Sequence, residues 1–122
     1  MREDFLAEQI RARNDVPISL QEPVEVSSLP TPALVLEHAP FEANLARMAA
    51  HVEDNGKGFR PHAKTHKCPE ISRRQLDAGA VGICVAKVSE ALAQVCAGIE
   101  DVLITSPVTS PGKAGLLLSC VC

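Results

Sequence analysis

The sequence predicts an α/β fold in which short parallel strands alternate with helices, and three observations carry that prediction. Strand-like runs at 59–64, 82–86 and 101–105 are each followed by a helix-like pattern. Ala78-Gly79 and Ala97-Gly98 fall in equivalent places, each ending a helix before the next strand. The chain is 46% hydrophobic but only 2% aromatic, so Ala, Val, Leu and Ile must build a closely packed helix-on-strand core. Repeated β-then-α units imply a parallel sheet with right-handed crossovers. Periodicity by itself does not separate a closed barrel from an open doubly wound sheet.

The elements follow in order. Residues 1–28 read as an N-terminal extension: a charged start over 1–15, with Phe5, Leu6 and Ile10 on one side of a candidate helix, then a Pro/Ser-containing connector. Its acidic residues argue against a transit peptide. Pro30 and Pro32 lead into Ala33-Leu34-Val35-Leu36, an apolar strand by pattern. Pro40 opens a helix in its first turn, where a missing N–H costs little. Leu45, Met48, Ala49 and Val52 continue it at helical spacing, and Asn55-Gly56 ends it. The strand at 59–64 precedes a helix at 69–78, and the strand at 82–86 precedes a helix at 89–97. After the strand at 101–105, Ser110-Pro111 gives an N-cap with proline at the first helical position.

The densest chemistry lies at the end of the 59–64 segment. Arg60-Pro61-His62-Ala63-Lys64-Thr65-His66-Lys67 holds three Lys/Arg and two of the four histidines, with no acid, in a chain of net charge -3. A local run of like charge opposes folding and asks for an anionic partner. In an extended segment Arg60, His62, Lys64 and His66 share one face, and Phe59, Pro61, Ala63 and Thr65 the other. A bland surface strand gives the same alternation, so the residue types, not the parity, single it out.

This octapeptide resembles the Pro-His-x-Lys-Thr-His-Lys motif of the D-threonine aldolase and D-serine dehydratase family of pyridoxal-phosphate enzymes, built on the alanine racemase barrel. The resemblance extends to Thr31-Pro32-Ala33-Leu34-Val35-Leu36, Gln75-Leu76-Asp77-Ala78-Gly79-Ala80 and Asp101-Val102-Leu103-Ile104, in the family's order over about residues 29–110. It implies a fold-type-III enzyme, with the first βα units of a (β/α)8 barrel over 57–122. Residues 29–56 then form a strand and helix leading into that barrel, the strand belonging to a β-rich second domain. It makes Lys64 the Schiff-base lysine. His62 is a candidate cofactor contact, an imidazole able to orient the cofactor's substituents or relay protons, the alternative being an inward-facing polar residue satisfied by its neighbours or water. His66 is a weaker candidate, since it lies near the strand's end. Lys87, Ser89, Thr105 and Ser106 stand where barrel strands deliver side chains to the active face.

The implied activity is that of a lyase on D-β-hydroxy amino acids, by retro-aldol cleavage or by β-elimination, the two left open. The cofactor is pyridoxal 5'-phosphate, joined by a divalent cation (Zn or Mn) whose ligands lie outside these residues. A homodimer is the assembly expected of the full-length form. A barrel of this kind takes about 250 residues. With its apolar ending at 115–122, the chain therefore reads as the N-terminal piece of such an enzyme, and the piece alone as poorly folded and inactive. A non-catalytic cofactor-binding protein or a racemase on the same barrel is the nearest alternative.

A different class, a small zinc module, draws on His62-x3-His66-x-Cys68. Pro61 and Pro69 bracket that run, and no second ligand cluster follows. The absence of Trp and Tyr weakens single-strand nucleic-acid binding, and the acidic balance weakens duplex binding. No apolar run approaches the roughly 20 residues a membrane span needs. Five cysteines, Cys68, Cys84, Cys96, Cys120 and Cys122, form no Cys-x-x-Cys and suit a reduced, cytoplasmic protein. Cys84 and Cys96 are expected as small buried hydrophobes.

Overall fold

The computed structural model describes residues 23–119, so the expected helix within 1–15 and Cys120 and Cys122 lie outside the described residues. The described residues fall into two units, one ending at Val35 and one starting at Leu36. The first contains a single 3-10 turn, Val26–Ser28, closed by the Ser28 hydroxyl donating to the Glu25 carbonyl at 2.7 Å. The apolar run at 33–36 is not a strand. Leu34, Val35 and Leu36 are exposed, and no ladder partner stands beside them among the described residues. Apolar, β-prone residues make a strand only where a neighbour takes up their backbone groups.

The second unit carries the expected alternation. Helix α1, His38–Asp54, starts two residues before Pro40, which sits in the first turn where the backbone N–H has no intrahelical partner anyway. It ends at Asn55, followed by Gly56 at φ 60°. Helix α2, Pro69–Asp77, ends before Gly79 at φ 97°, and α3, Val88–Cys96, before Gly98 at φ 86°. A left-handed residue just past a helix favours glycine because it has no Cβ. Helix α4, Pro111–Leu118, has Ser110 at its N-cap, although the serine side chain makes no capping bond.

Strands β1, Ile83–Val85, and β2, Val102–Ile104, pair in parallel with Cys84 opposite Leu103, and α3 connects them. The expected strand at 59–64 shrinks to one bridge, His62 with Cys84. The segment is nonetheless bonded along β1's other edge. Val81 N–H donates to the Phe59 carbonyl, Cys84 N–H to Pro61 at 2.7 Å, and Ala63 N–H to Cys84 at 2.8 Å. Pro61 has no N–H to give the ladder. Beyond Ala63 the chain turns over 63–66, with Lys67 N–H donating to the Ala63 carbonyl at 2.7 Å. Lys64 therefore rides on a turn, not in a strand.

The core lies on the helix side of this sheet. Ala63, Ile83, Val85, Ala91 and Ile99 are buried together, with Leu76, Val102 and Ile104 packed against them. Burying a side chain such as Ile83, which is fully enclosed, contributes about 1.5–3 kcal/mol. In α3 the buried positions are Val88, Ala91 and Gln94, one stripe at helical spacing. Cys96 falls off that stripe and is exposed, contrary to expectation, whereas Cys84 is buried. Arg74 ties α2 to α1 through Glu42 at 2.6 Å, and Arg73 donates to the Ala97 carbonyl at the end of α3.

Candidate active site

The register of the three segments sets out two rows across the open face of the sheet. Toward the strands' N-terminal ends, Arg60 passes over Gly82 to meet Asp101. The guanidinium is bidentate, with Nη1 at 2.7 Å from Oδ1 and Nη2 at 2.8 Å from Oδ2. Hydrogen bonding to Asp101 raises the Arg60 pKa, and the same bond holds the Asp101 carboxyl below its usual range. The cation that opens the octapeptide is thus spent on structure.

Toward the C-terminal ends stands His62. Its Nε2 lies 3.2 Å from Thr105 Oγ1, and its Nδ1 accepts from the Lys64 backbone N–H at 3.2 Å. Thr105 Oγ1 donates to the Val85 carbonyl at 3.1 Å. Phe59, Pro61 and Ala63 face away from these rows, so the expected parity holds for Arg60 and His62. It fails for His66, because the turn at 63–66 resets the direction of the chain. His66 is half-buried, its Nδ1 accepting from Cys68 N–H at 3.1 Å. Its Nε2 is buried without a partner, as is Gln75 Oε1 of α2. Burial pushes the His66 pKa down.

The zinc arrangement is not assembled. His62 is engaged with Thr105 and His66 with the Cys68 backbone, and no group of three His, Cys, Asp or Glu side chains comes together among the described residues. Lys64 is exposed and forms no ion pair among the described residues. Lys67 sits at φ 51° with its ammonium 3.7 Å from Glu90 Oε1. Glu90 in turn accepts from the Ala86 and Lys87 backbone N–H groups at the start of α3, and these bonds lower its pKa.

Beside these residues a cleft of about 350 Å³ opens between the segments that follow β1 and β2. Lys87, Ser89, Ser106, Ser110 and Lys113 are among its lining residues. Three of the four strand-end candidates line it, while Thr105 instead serves His62. Ser89 does not cap α3, whose first turn is closed by Glu90. Sequence reasoning missed the Arg60–Asp101 pair and the His62–Thr105 contact. Both depend on a register between segments about forty residues apart, for which the sequence carries no local signal.

No family model matches the chain. A D-threonine aldolase from Arthrobacter sp is 58% identical over 87 residues, which are 71% of this chain and 23% of that protein. The crystal structure of D-threonine aldolase from Filomicrobium marinum superposes with a TM-score of 0.74 at 45% identity, over 78% of this chain and 26% of that one. A metal-free variant of D-threo-3-hydroxyaspartate dehydratase gives a TM-score of 0.68 at 33% identity, over 76% and 24%. The chain spans about a quarter of the length of the curated relatives it matches.

Proposed function

We propose that this chain, similar to about a quarter of the length of proteins named D-threonine aldolase and 3-hydroxy-D-aspartate aldolase, is the N-terminal, lysine-bearing part of a pyridoxal-phosphate lyase for D-β-hydroxy amino acids. The complete molecule is then a (β/α)8 barrel with a β-rich second domain. Residues 57–122 form the barrel's first part, residues 29–56 lead into it, and residues 1–28 precede both. The observation that carries this reading is the position of Lys64. It stands exposed on the turn directly past the bridged segment, at the sheet's C-terminal end, where α/β barrels do their chemistry.

The residues present fit the cofactor. An amine clear of ion pairs is suited to bonding an aldehyde, and Lys64 would hold pyridoxal phosphate covalently, with the His62 edge beside it. When bound, the cofactor supplies an electron sink for charge developing at the substrate's α-carbon. Lys64 would hold the cofactor, and its amine would hold or move a proton at the substrate's α-carbon as a base. Lys67 is set apart from this role by its left-handed backbone and its approach to Glu90.

Borohydride reduction of the cofactor-loaded full chain tests the assignment. The pyridoxyl group is expected on the peptide carrying Lys64. Modification of Lys67 or of another lysine, with Lys64 untouched, would overturn it.

A further inference from the structure

We propose that Thr105 is a positioning residue for Lys64, acting through His62. The inference rests on the reading of Lys64 as the cofactor lysine and adds a residue and a tautomer to it. The geometry is fixed by the sheet. His62 is bridged to Cys84, and Cys84 pairs with Leu103. Thr105 stands two residues further along the same face as Leu103, diagonally across β1 from the imidazole.

Two hydrogen bonds at the ring and a third at Thr105 bear on the tautomer of His62. The Val85 carbonyl accepts from the Thr105 backbone N–H at 2.9 Å and lies 3.1 Å from Thr105 Oγ1, so it does not by itself claim the hydroxyl proton. Thr105 Oγ1 lies 3.2 Å from His62 Nε2 and can accept from it or donate to it, whichever the ring's tautomer requires. At the other side of the ring, the Lys64 backbone N–H points at Nδ1 over 3.2 Å, so Nδ1 carries none. With Nδ1 accepting from Lys64, the tautomer that keeps both contacts is Nε2–H, donating to Thr105 Oγ1, whose hydroxyl then turns to the Val85 carbonyl. A proton added at Nδ1 would set two donors face to face and release the Lys64 amide.

The turn that carries Lys64 is held from two directions. Ala63 is pinned to β1 by its N–H on the Cys84 carbonyl, and its own carbonyl accepts from Lys67 N–H. Between them the Lys64 amide is held by His62. Thr105 thereby links β2 to the reactive lysine's backbone, and His62 acts as a strut, not as a proton shuttle. A misplacement of about 1 Å in such a group can cost about a hundredfold in rate.

The test uses the cofactor-loaded full chain labelled with ¹⁵N-histidine and ¹⁵N-lysine. In the wild type, His62 is expected as a single tautomer with Nε2 protonated and Nδ1 bare. Thr105→Val removes the hydroxyl at nearly constant shape. It is expected to lose that single tautomer, shift the Lys64 amide resonance, and lower kcat by about 10- to 100-fold with a smaller change in KM. Thr105→Ser is expected to restore all three. An imidazolium or an Nδ1–H tautomer in the wild type overturns the proposal, whether or not Thr105→Val folds. So does a Thr105→Val protein with unchanged His62 and Lys64 resonances. Borohydride labelling of another lysine would remove the cofactor role from Lys64, while the resonances still decide whether Thr105 sets this turn.

Discussion

Arg60 and Asp101 are joined by a bidentate ion pair across the one residue between them that has no side chain. A Cβ built on Gly82 would fall within bonding range of Arg60 Nη1, and 2.8 Å from Asp101 Cγ. Gly82 also sits at φ 154°, where L side chains are rarely found. The glycine is therefore the floor over which the pair closes, and the pair ties the segment before Lys64 to the start of β2.

Gly82→Ala is accordingly expected to destabilise the protein by about 1–3 kcal/mol through backbone strain, with further loss if the guanidinium is driven off Asp101. The arginine tip is flexible and can yield, whereas the backbone at Gly82 cannot. Urea denaturation compares it with Asp101→Asn, which breaks the pair and leaves the glycine. An alanine variant as stable as the wild type would show that the strand ends adjust more freely than this geometry implies.

Acid should erode stability in two steps. The depressed carboxyls of Asp101 and Glu90 and the depressed imidazole of His66 all bind protons more tightly in the unfolded chain. For each group the contribution is complete above the unfolded pKa and is lost as pH falls through the folded one. His66 acts first, below about pH 6.5, and the two carboxyls act below about pH 4. The urea midpoint followed from pH 8 to pH 3 is expected to decline gently and then steeply. Asp101→Asn should blunt the lower step and His66→Gln the upper one. A midpoint that rose on acidification would reverse the sign for these groups.

Much of this was legible in the sequence. Gly56, Gly79 and Gly98 mark three helix ends because a left-handed residue past a helix favours glycine, and Pro111 opens α4 because its missing N–H costs nothing there. The face shared by Arg60 and His62 followed from strand parity. Parity failed at His66, because the turn after Ala63 has a local geometry that alternation does not encode. The run at 33–36 failed differently, since its residues are β-prone but pairing requires a partner the pattern cannot supply. Thr105 stood among four equivalent strand-end residues, and only the pairing of Cys84 with Leu103 singles it out.

Ile83 should be the most costly side chain to shorten among the sheet residues. It is fully enclosed and packs with Ala63, Val85, Ala91 and Ile99. Ile83→Ala is expected to cost about 2–5 kcal/mol and Ile83→Val about 0.5–1.5 kcal/mol. Chemical denaturation of the two variants measures both. An alanine variant costing less than the valine variant would place Ile83 outside the packed core.

The intact enzyme is expected to act on D- rather than L-β-hydroxy amino acids and to lose activity when divalent cations are removed. The stereochemical part rests on kinship with proteins named for D-threonine and D-threo-3-hydroxyaspartate. The metal part has a chemical ground. Cleaving Cα–Cβ requires a deprotonated β-hydroxyl, and eliminating hydroxide requires a polarised one; coordination to a divalent cation suits either need. His62 is a poor substitute, with one nitrogen on the Lys64 amide and the other on Thr105. His66 has its Nδ1 on the Cys68 backbone N–H and its Nε2 buried. Assays of D- and L-threonine and D- and L-serine, with and without chelator, should follow aldehyde and keto acid separately. Aldehyde formed from the D-isomer points to retro-aldol cleavage, and keto acid to elimination. Equal turnover of L-isomers, or full activity after exhaustive chelation, would favour a racemase or a cofactor carrier on the same scaffold.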